Sequence, residues 1–167
     1  MTSEITGLIT VRPAREIDVV GIAALVNSYA AEAIMLYRSP ESVRMTLHDF
    51  VVAVDATGAV MACGALKEYS PSLAEVASVA VAHEAHGLGL GTAIVAEVER
   101  LARKRGIDEL FALTLTPKFF ERAGYAVGDR ALYPEKIRRD CLKCPRRIRC
   151  NEYCVVRQVQ EEIAVAA

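Results

Sequence analysis

Apolar residues recur along this chain with two different periods, and the switches between them divide it into strands and helices. "LITVRPA" alternates weakly before Pro13 and predicts a short first strand ending in a turn. Over residues 17–33, Val20, Ala23, Ala24 and Val26 return at helical spacing behind Asp18, an acid where a helix dipole favours one. "SPESV" predicts a second helix start, with Ser39 as N-cap and Pro40 in the first helical position. "FVVAVDATGAVMACGALKEY" reads as two strands around an Asp-Ala-Thr-Gly turn, an antiparallel hairpin, and "LAEVASVAVA" as the next strand. Residues 92–105 set Ile94, Val95, Val98, Leu101 and Ala102 on one helix face and Glu97, Arg100, Arg103 and Lys104 on the other, with Gly106 as C-terminal cap. "ELFALTL" predicts a buried strand, "PKFFERAG" a short helix and "YAV" the start of a last strand. The predicted order is β-α-α-β-β-β-α-β-α-β followed by a cysteine-rich tail, with no internal repeat and no linker long enough to separate two folding units.

Composition narrows the class. At 167 residues, 53% hydrophobic and 25% charged, the chain is expected to form one α/β domain with a real core. A formal net charge of -1 exerts no global pull toward nucleic acid or an anionic membrane. "MTSEITGLITVRPAR" lacks the cationic start and apolar core of a signal peptide, and no apolar run reaches bilayer length, so a soluble cytoplasmic protein is expected. In that compartment thiols stay reduced, which makes the five cysteines candidates for metal ligands, catalytic groups or core residues rather than a disulfide framework.

"HEAHGLGLGTA" carries the most specific chemistry. A strand, a glycine turn and a helix gather backbone N–H groups around one concavity at the positive end of the helix, which is an anion site. The P-loop requires a lysine that Gly91-Thr92 lacks, and the dinucleotide fingerprint requires a spacing other than glycines at 87, 89 and 91. The pyrophosphate turn of acetyl-coenzyme A-dependent N-acetyltransferases, Gln/Arg-x-x-Gly-x-Gly/Ala, fits "HGLGLG" with His86 in its first position. The plain alternative is that any strand-to-helix turn favours glycine.

"ITVRPAREIDVVGIAALV", "VASVAVAHEAHGLGLGTAIV" and "FFERAGY" together resemble the GNAT N-acetyltransferase superfamily. "FVVAVDATGAVMACGALKEYSPSLAEVASVAV", "FALTLTPKFFERAGY" and "KIRRDCLKCPRRIRCNE" resemble more closely the short N-acetylglutamate synthases of bacterial arginine biosynthesis. The resemblance implies a GNAT fold, a central mixed, mostly antiparallel sheet flanked by helices. It implies a catalytic domain over residues 8–135 and a basic, cysteine-rich extension over 136–167 packed on the same domain. Acetyl-coenzyme A is the implied cosubstrate. Its pantetheine arm would pair with Val79 and Val81, and its pyrophosphate would lie on the amides of Gly87, Leu88, Gly89, Leu90, Gly91 and Thr92, with the His86 ring beside them. The Val79 N–H would stabilise the oxyanion, and Glu75 would act as general base, directly or through water. The alternative for Glu75 is an exposed strand-end glutamate.

The chain departs from the family pattern at several points. Phe120 stands where many members use a tyrosine to protonate the leaving thiolate, which leaves direct thiolate release, Tyr125 or Tyr133. Ala77 replaces an arginine typical of the glutamate-acetylating members, and the protein has no tryptophan. Recognition of a dicarboxylate needs cations, for which Arg38, Arg44 and Lys136 are the candidates.

Cys141, Cys144, Cys150 and Cys154 form C-x-x-C-x5-C-x3-C, a residue set able to complete a tetrahedral structural zinc site; reduced metal-free thiols and an iron–sulfur cluster are the alternatives. Cys63 reads as a small core residue. The same tail is basic, with Lys136, Arg138, Arg139, Lys143, Arg146, Arg147 and Arg149 against Asp140. The expected activity is acetyl transfer to the α-amine of L-glutamate, a small-molecule substrate, with no membrane or nucleic-acid partner; a homodimer is compatible with it. The competing readings are the same chemistry on another amino acid, a small amine or a protein, and a non-catalytic module binding coenzyme A or nucleic acid.

Overall fold

The computed structural model describes residues 8–160. Within them two compact units are distinguished, one of residues 8–66 and 76–101, the other of residues 67–75 and 102–160. The hydrogen-bonded strand order is β1-β2-β3-β4-β5-β7-β6, a seven-stranded sheet among the described residues, flanked by helices. Residue 136 onward, expected as an extension, contributes to the second unit as far as residue 160; 161–167 lie outside the described residues. Among the described residues no helix is long and apolar enough to cross a membrane.

In the first unit β1 (Thr10–Pro13) pairs antiparallel with β2 (Phe50–Val54), and β2 with β3 (Val60–Ser70). All five β2 residues are buried, the mark of a strand covered on both faces. The β2–β3 turn closes as expected: the Asp55 carboxylate accepts the N–H groups of Thr57 at 2.9 Å and Ala59 at 3.0 Å.

The first helix differs from the expected one. Glu16–Asp18 form a 3-10 turn and α1 runs Val19–Ala31, burying Val19, Ile22, Ala23, Leu25 and Val26, while Val20 is exposed. The cause is Asp18. Its buried carboxylate receives Arg12 Nη1 at 2.7 Å, Arg12 Nη2 at 3.1 Å and the Arg15 N–H at 2.7 Å, so it faces β1 and sets the rotation of the helix that follows. Helix α2 (Pro40–Met45) is capped by the Ser39 hydroxyl, which accepts the Ser42 N–H at 3.1 Å.

Helix α3 (Leu90–Lys104) buries Leu90, Ile94, Val95, Val98 and Ala102, close to the expected face. It lies close to β3 because Gly64 has no side chain: a Cβ there would stand 2.5 Å from Ile94 Cγ2 and 3.4 Å from Val98 Cγ2.

In the second unit the first residues of β4 (Leu73–Val81) pair in parallel with β5 (Glu109–Thr114), Glu75 opposite Phe111. β5 pairs antiparallel with β7 (Tyr153–Gln158), which also takes β6 (Ala126–Val127). Helices α4 (Pro117–Arg122) and α5 (Pro134–Arg139) complete the unit. Strand β7 is absent from the sequence-based order, in which the tail has no regular structure. Its six residues carry too short an alternation to register, and pairing with β5 on one side and β6 on the other makes the strand.

Gly64→Ala is expected to force α3 from β3 and to destabilise the protein by about 1–3 kcal/mol, read from the urea midpoint; an unchanged midpoint would refute the close-approach role.

Candidate functional site

The glycine turn is built as its composition demands. After β4 come a 3-10 turn over His83–Ala85, then Gly87 at φ 83°, Gly89 at φ 76° and the first residue of α3, Leu90. A Cβ at Gly87 or Gly89 would touch nothing within 4 Å, so what these positions require is the left-handed backbone itself. The Ala93 N–H makes a helical bond to the Gly89 carbonyl at 3.1 Å; the amides of Leu90, Gly91 and Thr92 precede it and belong to the first turn, whose N–H groups have no helical acceptors. Leu88 is half-buried and Leu90 is buried, anchoring the loop.

Tyr29, which sequence reasoning missed, ties this turn to β4. Its hydroxyl donates to the Val81 carbonyl at 2.5 Å and lies 2.9 Å from His86 Nε2, itself 3.1 Å from that carbonyl. His86 Nε2 is thus directed at the strand. His83 packs 5.5 Å from the His86 ring and pairs with Glu32 at 2.8 Å. Burial, then the acids Glu32 and Glu84, raise the Tyr29 pKa and keep its proton in place for the bond.

Ahead of the turn, β4 is kinked at Ser78, a non-glycine residue at φ 54° in the middle of a strand. Such a conformation costs on the order of 1 kcal/mol and persists where its surroundings hold it. Here the Cys63 thiol donates to the Ser78 carbonyl at 3.4 Å. Cys63 is fully buried, as expected of a core residue, and burial pushes its thiol up to about 12. The kink falls between Ala77 and Val79, the residue expected to supply an oxyanion-binding N–H; Val79 and Val81 are half-buried.

Glu75 is not an exposed strand-end glutamate. It is 5% exposed, and its Oε2 accepts the Tyr69 hydroxyl at 2.9 Å and pairs with Lys136 Nζ at 2.9 Å. Both donors also reach Asp140 Oδ2, Tyr69 at 2.6 Å and Lys136 at 3.0 Å, and Lys67 Nζ adds a third contact there at 2.6 Å. Burial alone would raise the Asp140 carboxyl, but the bonds from Lys67, Tyr69 and Lys136 hold it well below the usual carboxylate range. Burial and the two flanking acids push the Tyr69 hydroxyl far above a free phenol, so it serves as a fixed donor. Arg139 covers the Tyr69 ring at 4.7 Å, and Phe111 lies 5.6 Å from it. Lys67, Tyr69 and Asp140 were missed as site residues. The detectable signals were the alternation that sets Lys67 and Tyr69 on one face of β3 and the i, i+4 spacing of Lys136 and Asp140.

The three candidate acceptor cations are not equivalent. Arg44 lies on the exposed side of α2, paired with Glu16. Lys136 is held between two carboxylates. Arg38 is half-buried, with Nη2 donating to the Ser42 carbonyl and the Thr46 hydroxyl at 3.1 Å each and the guanidinium 5.3 Å from the Phe50 ring centre. Among the described residues it has no acidic partner within ion-pair distance, and burial lowers its pKa.

The cysteines do not fit a four-thiolate metal site. Cys154 is buried in β7 with Phe111 and Tyr133, and burial pushes its thiol up to about 11. Cys150 Sγ receives Arg130 Nη2 at 3.3 Å, and Cys144 Sγ receives the Arg146 N–H at 3.4 Å. Among the described residues no group of three or more His, Cys, Asp or Glu is placed to hold a metal ion. The expected zinc site is therefore not supported, because strand pairing turns Cys154 into the core.

Phe120 is buried and packs edge-on against Tyr125 at 5.2 Å. Tyr133, stacked on Phe111 at 4.3 Å, has its hydroxyl pushed up by burial and then by Glu109 and Cys154. Both alternative acids are thus core side chains.

The chain has a seven-stranded mixed sheet flanked by helices, with a glycine turn at the junction of β4 and α3. The sequence matches the acetyltransferase (GNAT) family over residues 18–125, and the chain belongs to that family. It is an acetyl-CoA-dependent N-acetyltransferase of the GNAT type. It is 40% identical over 147 residues to an uncharacterised N-acetyltransferase of Chlorobaculum tepidum, spanning 88% of this chain and 94% of that one. It is 37% identical over 117 residues to an amino-acid acetyltransferase of Mycobacterium tuberculosis, with 69% and 67% covered. Its fold is similar, at TM-score 0.81 and 29% identity, to N-acetylglutamate synthase from Neisseria gonorrhoeae complexed with coenzyme A and N-acetyl-glutamate, covering 92% of this chain and 35% of that one.

Gly89→Glu, which adds both a left-handed strain and a negative charge at the cradle, is expected to weaken acetyl-coenzyme A binding at least about tenfold, or ~1.4 kcal/mol, by titration calorimetry. Gly58→Glu, also at positive φ with open space around it, is expected to bind normally; equal binding by both variants would move the site elsewhere.

Proposed function

We propose that the protein transfers the acetyl group of acetyl-coenzyme A to the α-amine of L-glutamate by direct attack. The pyrophosphate rests on the amides from Gly87 to Thr92, and the pantetheine arm runs along Val79 and Val81. The amine nitrogen attacks the thioester carbon, the Val79 N–H stabilises the oxyanion, the C–S bond breaks to release thiolate, and Glu75 takes the proton from the nitrogen. The observation that carries the acceptor half is Arg38, a half-buried guanidinium with no acid within ion-pair distance among the described residues. A substrate carboxylate is the anion such a group lacks. The likeness to a synthase that holds N-acetyl-glutamate supports the same reading. A cytoplasmic setting belongs to it.

One observation favours a second reading. With Arg44 paired to Glu16 and Lys136 paired to Glu75 and Asp140, Arg38 alone of the three candidates lacks an acid, and one fork serves one carboxylate. An amino acid with an uncharged side chain would then be the acceptor.

Thiol release from acetyl-coenzyme A across a panel of amino acids separates the two. The first reading requires kcat/KM for glutamate to exceed that for glutamine by at least about tenfold, on the order of 1.4 kcal/mol; equality establishes the second. In either case Arg38→Met is expected to lower kcat/KM for the acceptor by about 10- to 100-fold while leaving acetyl-coenzyme A affinity intact, and no change would remove Arg38 from the site.

A further inference from the structure

Lys136 was expected to bind a substrate carboxylate, yet it is 14% exposed and its ammonium lies between Glu75 and Asp140. The contacts of Glu75 are one-sided. Tyr69 and Lys136 both meet Oε2, whereas Oε1 accepts no bond among the described residues. No side-chain oxygen that is fully buried lacks a partner among those residues, so the unbonded Oε1 is open to water. The carboxylate therefore has one anchored oxygen and one presented oxygen.

The anchor is itself braced. Tyr69 has a single hydroxyl proton, which donates to one acceptor at a time, and its shorter contact is with Asp140 at 2.6 Å rather than Glu75 at 2.9 Å. Lys136 has three N–H donors, enough to serve both carboxylates at once. The continuous hold on Glu75 thus falls to Lys136. Burial would strip the ammonium of its proton, but the charges and bonds of Glu75 and Asp140 prevail and raise its pKa, so it remains a cation.

We propose that Lys136 is the positioning residue of the Glu75 carboxylate, pinning Oε2 and supplying its counter-charge so that Oε1 receives the proton of the attacking amine. Asp140 in turn holds Lys136, at the start of the basic tail. The proposal rests on Glu75 acting as general base. The charged and titratable groups around Glu75 are Lys67 and Tyr69 on β3, Lys136 and Arg139 on α5, Asp140 just beyond it and Cys154 on β7. Of the cations Lys67, Lys136 and Arg139, Lys136 alone pairs with Glu75 among the described residues.

The test is the pH profile of kcat/KM with acetyl-coenzyme A and the best amino acid from the panel. Removing the ammonium in Lys136→Met leaves a buried carboxylate beside a second anion, which favours the protonated, inactive form. The acid limb is expected to move to higher pH by about one unit or more, with kcat lower by at least about tenfold and acetyl-coenzyme A affinity unchanged. Lys136→Arg, which keeps the charge, is expected to return the limb toward its original position. A uniform loss at every pH with the limb unmoved would overturn the proposal, as would a limb in Asp140→Asn raised as far as in Lys136→Met, since that variant keeps the cation and removes an anion. Tyr69→Phe keeps the ring and deletes the neutral donor; a shift smaller than that of Lys136→Met supports the assignment, and an equal or larger one overturns it. Should Lys136→Met fail to fold, Lys136→Gln is read by the same criteria. Glu75→Gln separates the two levels: full activity would sink the general-base reading itself, whereas an inactive Glu75→Gln with an unmoved limb in Lys136→Met would sink only the role of Lys136.

Discussion

A carboxylate buried to the depth of Glu75 cannot stand alone, and the arrangement of the second unit follows from that requirement. Desolvating the charge costs several kcal/mol unless donors and a counter-charge replace the lost water. Tyr69 supplies a donor from the adjacent strand β3, and Lys136 brings the cation from α5, far along the chain. Asp140 then balances the cation, and Lys67 balances Asp140. The segment that begins the basic tail is in this way tied to β3 and β4 by a network in which two carboxylates share the same two donors. Loss of Lys136 would leave both carboxylates short of a counter-charge, so the members of the network depend on one another.

The first unit works by different means. The shape of its glycine turn depends on two left-handed glycines, on a helix whose first amides have no helical acceptors, and on a hydroxyl from α1 that grips the Val81 carbonyl. The Ser78 kink and the Cys63 thiol beneath it add a second local distortion four residues or fewer from each of the expected cofactor contacts on β4. Gly64 allows α3 to approach the sheet, which fixes where those amides stand. Charge enters little here. Conformation, held by packing, carries the specificity.

Strand β4 carries Glu75 toward its start and Val79 and Val81 toward its end. On the acceptor side the structure reduces the available cations, because two of the three expected ones are already paired. Arg38 is left as a guanidinium held by neutral oxygens and an aromatic face, with no acid among the described residues within ion-pair distance.

What the sequence determined was everything governed by short-range rules. The glycine turn, the Ser39 cap, the Asp55 turn and the apolar face of α3 depend on residues within a few positions of one another, and "HGLGLG" could be read as an anion cradle because φ and orphan amides are local properties. The family pattern likewise pointed to Glu75. Tertiary structure decided whatever required partners distant in the chain. It turned Val20 outward because Asp18 had to meet Arg12, made a strand of the tail because β5 and β6 lacked a common neighbour, and buried Cys154 against Phe111 and Tyr133. It also converted Lys136 from a candidate substrate ligand into a partner of Glu75. Burial and charge pairing are sums over the whole fold, so the environment that gives each ionisable residue its role exists only once the chain has closed on itself.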